Sequence, residues 1–142
     1  MDPFDEPLCQ GTPLYLGVLG KTETITKQKL SEEILHPLLA LWTRLPDKVL
    51  LPSEGASSSL LSLWANQNNI EVQSLDANYQ KLGRKAGFLR DSMIIKEATH
   101  LLVFLGTRSQ KNEQIAIRET KKGKHVYAVD PKSLEVSEYT TE

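Results

Sequence analysis

Glycine, small hydroxyls, amides and cations recur together at four places in the chain: Gly20-Lys21-Thr22, residues 53–59, residues 76–91 and residues 106–112. These residue types share one chemistry. Glycine lets backbone N–H groups approach an anion, hydroxyls and amides cap the helix that follows, and lysine or arginine supplies the countercharge. A phosphate group is the natural guest of such loops. The candidate ligand contacts are Gly20 and Lys21; Gly55, Ala56, Ser57 and Ser58; Gly87, Arg90 and Asp91; and Gly106, Thr107, Arg108, Ser109 and Asn112. Each has a plainer alternative. Ser57, Ser58 and Ser59 serve equally well as N-caps. The run Gly106 to Ser109 could be an ordinary strand-to-helix turn, although an arginine inside it favours an anion. Asp91 reads most simply as the N-cap of its own helix. Arg90 is a surface charge or a partner for Asp76 or Glu54, and residue types alone do not decide between these.

Chemistry beyond binding needs a titrating or nucleophilic group at the same place. Glu113 and Asp91 are the candidate acid–base residues. A carboxylate in the first turn of a helix, as expected for Glu113, is favoured by the helix dipole in any case. No Ser-His-Asp set, metal cluster or P-loop is spelled out, and His36, His100 and His125 fall in a helix and at two strand starts, away from these loops. The single Cys9 can neither close an intramolecular disulfide nor anchor a conventional zinc site. Neither a metal nor a resident cofactor is expected.

The elements that must position these residues follow from periodicity. Five short apolar runs, at 14–19, 48–51, 70–75, 100–105 and 125–129, read as strands. Between them lie helical stretches. Leu30, Ile34, Leu38, Leu41 and Leu45 recur at helical spacing, with Pro37 as a kink or break; further helices are expected within 60–69, at 91–98, and at 112–122, the last closed by Gly123. Strands alternating with helices imply βαβ units, so the predicted fold is α/β: a three-layer Rossmann-like domain with a mainly parallel sheet of about five strands. In such a sheet ligands bind beyond the carboxyl ends of the strands, which is where all four loops fall.

Bulk composition bounds the rest. A chain of 142 residues is the size of one ordinary domain, with 39% hydrophobic and 25% charged residues, both in the globular range. The expected division is a flexible leader at 1–13, the domain at 14–130 and a loose acidic tail at 131–142. A net charge of −1 supplies no global field for nucleic acid, which is not the first guess. The longest apolar run, LLVFL at 101–105, falls far short of the roughly 20 residues that cross a bilayer. With its lone cysteine and an acidic N-terminal stretch where a signal peptide would be basic, the chain is expected in the cytoplasm. Trp42 and Trp64 read as core or subunit interface rather than ligand stackers. Apolar helix positions such as Leu38, Trp42, Leu61 and Trp64 suggest a homo-oligomer.

The span 49–126 resembles the SLOG superfamily, and within it the YspA-like branch. The residues that carry the resemblance are Glu54 to Ser59, in place of a GGARGAD-like turn, then Tyr79, Gly83, Ala86, Gly87, Arg90, Asp91 and Met93, and farther on Ala98, Val103-Phe104, Ser109 and Gly123-Lys124. The resemblance implies a nucleotide or nucleotide-derived ligand, with Gly87 close to the cleft, Arg90 directed at phosphate or a neighbouring acid, and Met93 and Ile94 packed beneath. The departures are Glu54, Ser57, Ser58 and Leu60 in the first turn, Gly20-Lys21-Thr22 where the family has a Gly-Ser-Arg-like triplet, and Asp91 where it has Asn. The PGGxGTxxE turn of the phosphoribohydrolase branch survives only as Gly106 and Glu113. Three functions are therefore in view: a module that binds or sequesters a nucleotide or ADP-ribose-like molecule, a hydrolase of an N-glycosidic or phosphate bond in such a ligand, and a single-stranded nucleic acid binder using Lys81, Arg84, Lys85 and Arg90.

Overall fold

Side chains alternate across a strand, so a strand covered on both faces reads as a continuous apolar run while an edge strand keeps polar positions. Both kinds occur in the computed structural model, which describes residues 13–20, 25–53, 55–77, 79–83, 85–106 and 110–139. Strands β1 (Tyr15–Leu19), β2 (Lys48–Pro52), β4 (His100–Phe104) and β5 (His125–Val129) are buried over most of their length. The edge strand β3 (Glu71–Leu75) exposes Glu71 and Ser74. A sixth strand, β6 (Val136–Tyr139), completes the sheet in the order β3-β2-β1-β4-β5-β6. All neighbours are parallel except β5 and β6. The fold is α/β and three-layered, as the alternation of patterns predicts.

The sixth strand lies in the stretch that composition marks as a loose tail. Its stability comes from the turn before it: Asp130 Oδ1 accepts from the backbone N–H groups of Lys132 and Ser133 at 2.8 and 3.0 Å, which holds the Asp130 carboxyl below the usual aspartate value. Leu134, with φ at 62° and 8% exposed, then tucks into the core.

The helices are α1 (Lys27–Lys29), a π-helical segment (Leu30–Leu35), α2 (His36–Trp42), α3 (Ala56–Gln67), α4 (Tyr79–Leu82), α5 (Lys85–Glu97) and α6 (Lys111–Lys121). Thr26 caps the first of them, its hydroxyl accepting from Lys29 N at 3.1 Å. The π segment has a covalent cause in Pro37, which lacks an N–H and whose ring would press on the carbonyl four residues back. His36 N–H bonds instead to Ser31 O, the wider π spacing. The widened turn resets the helix phase. Leu30, Ile34, Leu35 and Leu38 are buried and Trp42 packs against them, whereas Leu41 and Leu45, placed on the same stripe by simple helical spacing, are 55% and 41% exposed.

The chain steps outward from β1 to β2 to β3 with α1, α2 and α3 on one face, then returns across the sheet to β4 and continues to β5 with α5 and α6 on the other. Right-handed crossovers require this change of face when the direction reverses. On the first face Leu30, Ile34, Leu38, Leu61 and Ala65 pack against Leu16, Val18, Val49 and Leu51. On the second, Ile94, Ala98, Ile115 and Ala116 meet Leu19, Leu50, Leu101, Val103 and Val126. Gly17 makes the second contact possible, since a Cβ there would lie 2.7 Å from both Ala98 Cβ and Ile94 Cγ2. Leu38 and Leu61 thus belong to the core, and the exposed apolar helix residues are others, Phe88, Leu89 and Met93 among them. No helix among the described residues is long and apolar enough to cross a membrane.

At the amino edge of the sheet His100 stacks on His125 with ring centroids 4.6 Å apart and meets Trp42 edge-on at 5.5 Å. Trp42 Nε1 donates to the Tyr127 hydroxyl at 3.1 Å. Burial, then the neighbouring His125 and Arg44, lower the His100 pKa from the ordinary 6.5 to about 4.

Candidate functional site

Sheet order reverses between β1 and β4, and the helices that follow these two strands pack on opposite faces. In open α/β sheets a ligand crevice is expected at this carboxyl-edge position. Gly20 ends β1 at this point with φ at 77°. A Cβ on Gly20 would lie 2.5 Å from Phe104 O and 2.6 Å from Asn112 Nδ2, so only glycine fits. The same Asn112 Nδ2 donates to Phe104 O at 3.1 Å, tying the first turn of α6 to the end of β4. Two residues singled out from separate loops, Gly20 and Asn112, therefore touch at the switch point. Gly106 follows β4 at the same edge and is exposed.

Beside the crevice, Gly55 opens α3 with φ at 103°, a conformation suited to glycine, and accepts from Ser59 N at 3.2 Å. Ala56, Ser57 and Ser58 form the first turn, whose N–H groups point along the axis toward the edge. Ser57 and Ser58 are buried, and Ser58 Oγ has no hydrogen-bond partner among the described residues.

From the second face α5 brings Arg90 and Asp91. Its start at Lys85 corrects two expectations: Asp91 is in the helix interior rather than at its N-cap, and Gly87 is a buried helical residue rather than part of a loop. The cause is local. Ala86 and Gly87 continue the buried stripe of Asp91 and Ile94 one turn back, and packing that stripe outweighs the helix cost of Gly87. Asp91, its side chain 7% exposed, is 3.2 Å from Arg90 Nε and 3.9 Å from Lys111 Nζ. Arg90 pairs with this acid, and a neighbouring acid is one of the two destinations the resemblance implies. Ile94 packs inward as expected, while Met93 is 58% exposed and supports nothing beneath the crevice.

Lys111 was not singled out by the sequence, although a signal was there. A cation in the first turn of a helix opposes the dipole and needs an acid nearby. Asp91 is that acid.

The two acid–base candidates are not brought together. Asp91 faces the flank of α6 that carries Lys111, whereas Glu113 lies toward β6, where it and, more strongly, burial raise the Tyr139 hydroxyl pKa. Glu113 itself is exposed. Among the described residues no three His, Cys, Asp or Glu groups converge to hold a metal ion. Lys21, Glu54, Thr107, Arg108 and Ser109 lie outside the described residues. No protein family, no curated protein and no solved structure matches the chain.

Proposed function

We propose that the protein binds a nucleotide or ADP-ribose-like phosphorylated small molecule in the crevice between β1 and β4, as a sensor or a sequestering module. The observation that carries this is the contact of Gly20 with Asn112 at the strand-order reversal. Glycine there lets the end of β1 close up against Phe104 O and Asn112, and the N-termini of α3 and α6 are directed at the same edge with partial positive charge. The SLOG resemblance points to the same ligand class. Binding is favoured over cleavage because the two carboxylates suited to acid–base work sit on opposite flanks of α6 and share no site.

Thermal melting against nucleotides, ADP-ribose, its cyclic forms and cyclic dinucleotides tests the proposal. A ligand at about a hundredfold its Kd adds roughly 2.7 kcal/mol of stability, a readily measured rise in Tm. Lys111→Glu, which places a second carboxylate beside Asp91 at the mouth of the crevice, should diminish that rise. Chromatography afterwards should return the ligand intact. A panel on which no compound raises Tm would overturn the binding function, and recovered fragments would replace it with hydrolysis.

A further inference from the structure

At the other edge of the sheet α5 and α6 part to leave a cleft of about 330 Å3. Ser92, Ile95 and Lys96 of α5 form one wall. Arg118 and Lys122 form the other, Lys124 closes the end, and Glu119 lies at the floor. Four cations thus surround one carboxylate. Glu119 is buried, its side chain 2% exposed, and takes Arg118 Nε at 2.9 Å and Lys122 Nζ at 3.4 Å. Lys124 Nζ donates to Ala98 O, the carbonyl just past α5, at 2.8 Å.

Charge balance distinguishes a structural cluster from a binding site. Glu119 and the C-termini of α5 and α6, each worth roughly half a negative charge, offset about two of the four cations. About two positive charges remain uncompensated. Lys96 enters no hydrogen bond or ion pair among the described residues, so its ammonium is available to a guest. The buried Glu119 holds two of the cations in fixed positions, which reduces the side-chain entropy that a ligand must overcome. Ile95 adds an apolar wall, and the volume lies at the lower end of the range for small-molecule sites, roughly 300–1,000 Å3.

We infer that this cleft is a second anion site, separate from the crevice, that takes a small ligand carrying a diphosphate or an equivalent pair of negative charges. Lys96 is the principal contact. Arg118 and Lys122 contribute the N–H donors that Glu119 leaves open, and Ser92 borders the rim.

Titration of the 15N-labelled protein with inorganic pyrophosphate, followed by amide chemical shifts, tests this directly. Saturable shifts are expected at residues 92–96 and 118–124, weakening as salt is added. Lys96→Glu and, separately, Ser92→Asp alter partly or fully exposed positions and leave the bracing of Glu119 intact. Each should weaken pyrophosphate at the cleft by about tenfold or more, equivalent to roughly 1.4 kcal/mol, while shifts at residues 55–58 and 110–112 persist. Retention of those shifts separates this site from the crevice. The inference is overturned if the cleft amides do not respond to pyrophosphate, if both variants titrate like the wild type, or if an acidic peptide saturates the cleft and pyrophosphate does not.

Discussion

His100 shows how much of a residue's behaviour its neighbours decide. The sequence places a histidine at the start of an apolar strand and nothing more. The structure surrounds the ring with His125, Trp42, Tyr127 and, by charge, Arg44, and sets Thr99 Oγ1 2.8 Å from Nδ1. A folded-state pKa below the unfolded one means that the neutral ring is the native form. Its contribution is whole above the ordinary 6.5 and is lost as pH falls toward about 4. His100→Gln should therefore melt with a smaller loss between pH 6.5 and 4.5 than the wild type; parallel curves for the two proteins would remove His100 as the cause. Asp91 and Arg90 were visible as chemistry in the sequence, yet their pairing was not, because adjacent residues on a helix meet only when both are turned toward the same partner element. Lys111 supplies that element, across a loop that no periodicity spans.

The helical segment from Lys27 to Trp42 separates pattern from geometry. Five leucine and isoleucine positions at regular spacing predict one apolar stripe, and Pro37 predicts an interruption. Only the structure shows that the interruption is a π turn, after which the stripe keeps Leu38 and continues at Trp42 rather than Leu41. Leu38→Ala should cost about 2–5 kcal/mol in chemical denaturation, and Leu41→Ala less than about 0.5 kcal/mol. Equal losses at the two positions would restore the uninterrupted helix. The strands were more legible than the helices, since buried parallel strands announce themselves as unbroken apolar runs whereas helix starts depend on caps. The start of α5 was hidden for that reason, six residues before Asp91, in a stretch whose glycine suggests a loop.

For the whole molecule, strand number and order decide where a ligand can go and which edge stays open. The α/β layering could be read from alternating periods, and the carboxyl-edge location of the candidate site followed from it. The sixth strand could not, because VSEY is short, polar at its centre and stabilised by the Asp130 turn rather than by its own composition. Truncation after Asp130 would uncover the edge of β5 and remove buried Leu134. We expect a lower Tm and self-association that grows with concentration, read by size-exclusion chromatography. An unchanged Tm would make β6 an ornament. The central position of β1 also bears on synthesis. Its neighbour β2 is complete by Pro52, but its other edge waits for β4, so that Tyr15 N reaches the Thr99 hydroxyl across 84 residues. Until that stretch has left the ribosome, the nascent sheet carries its most apolar strand as an unprotected margin, and early chaperone capture should fall on the half that ends at β3.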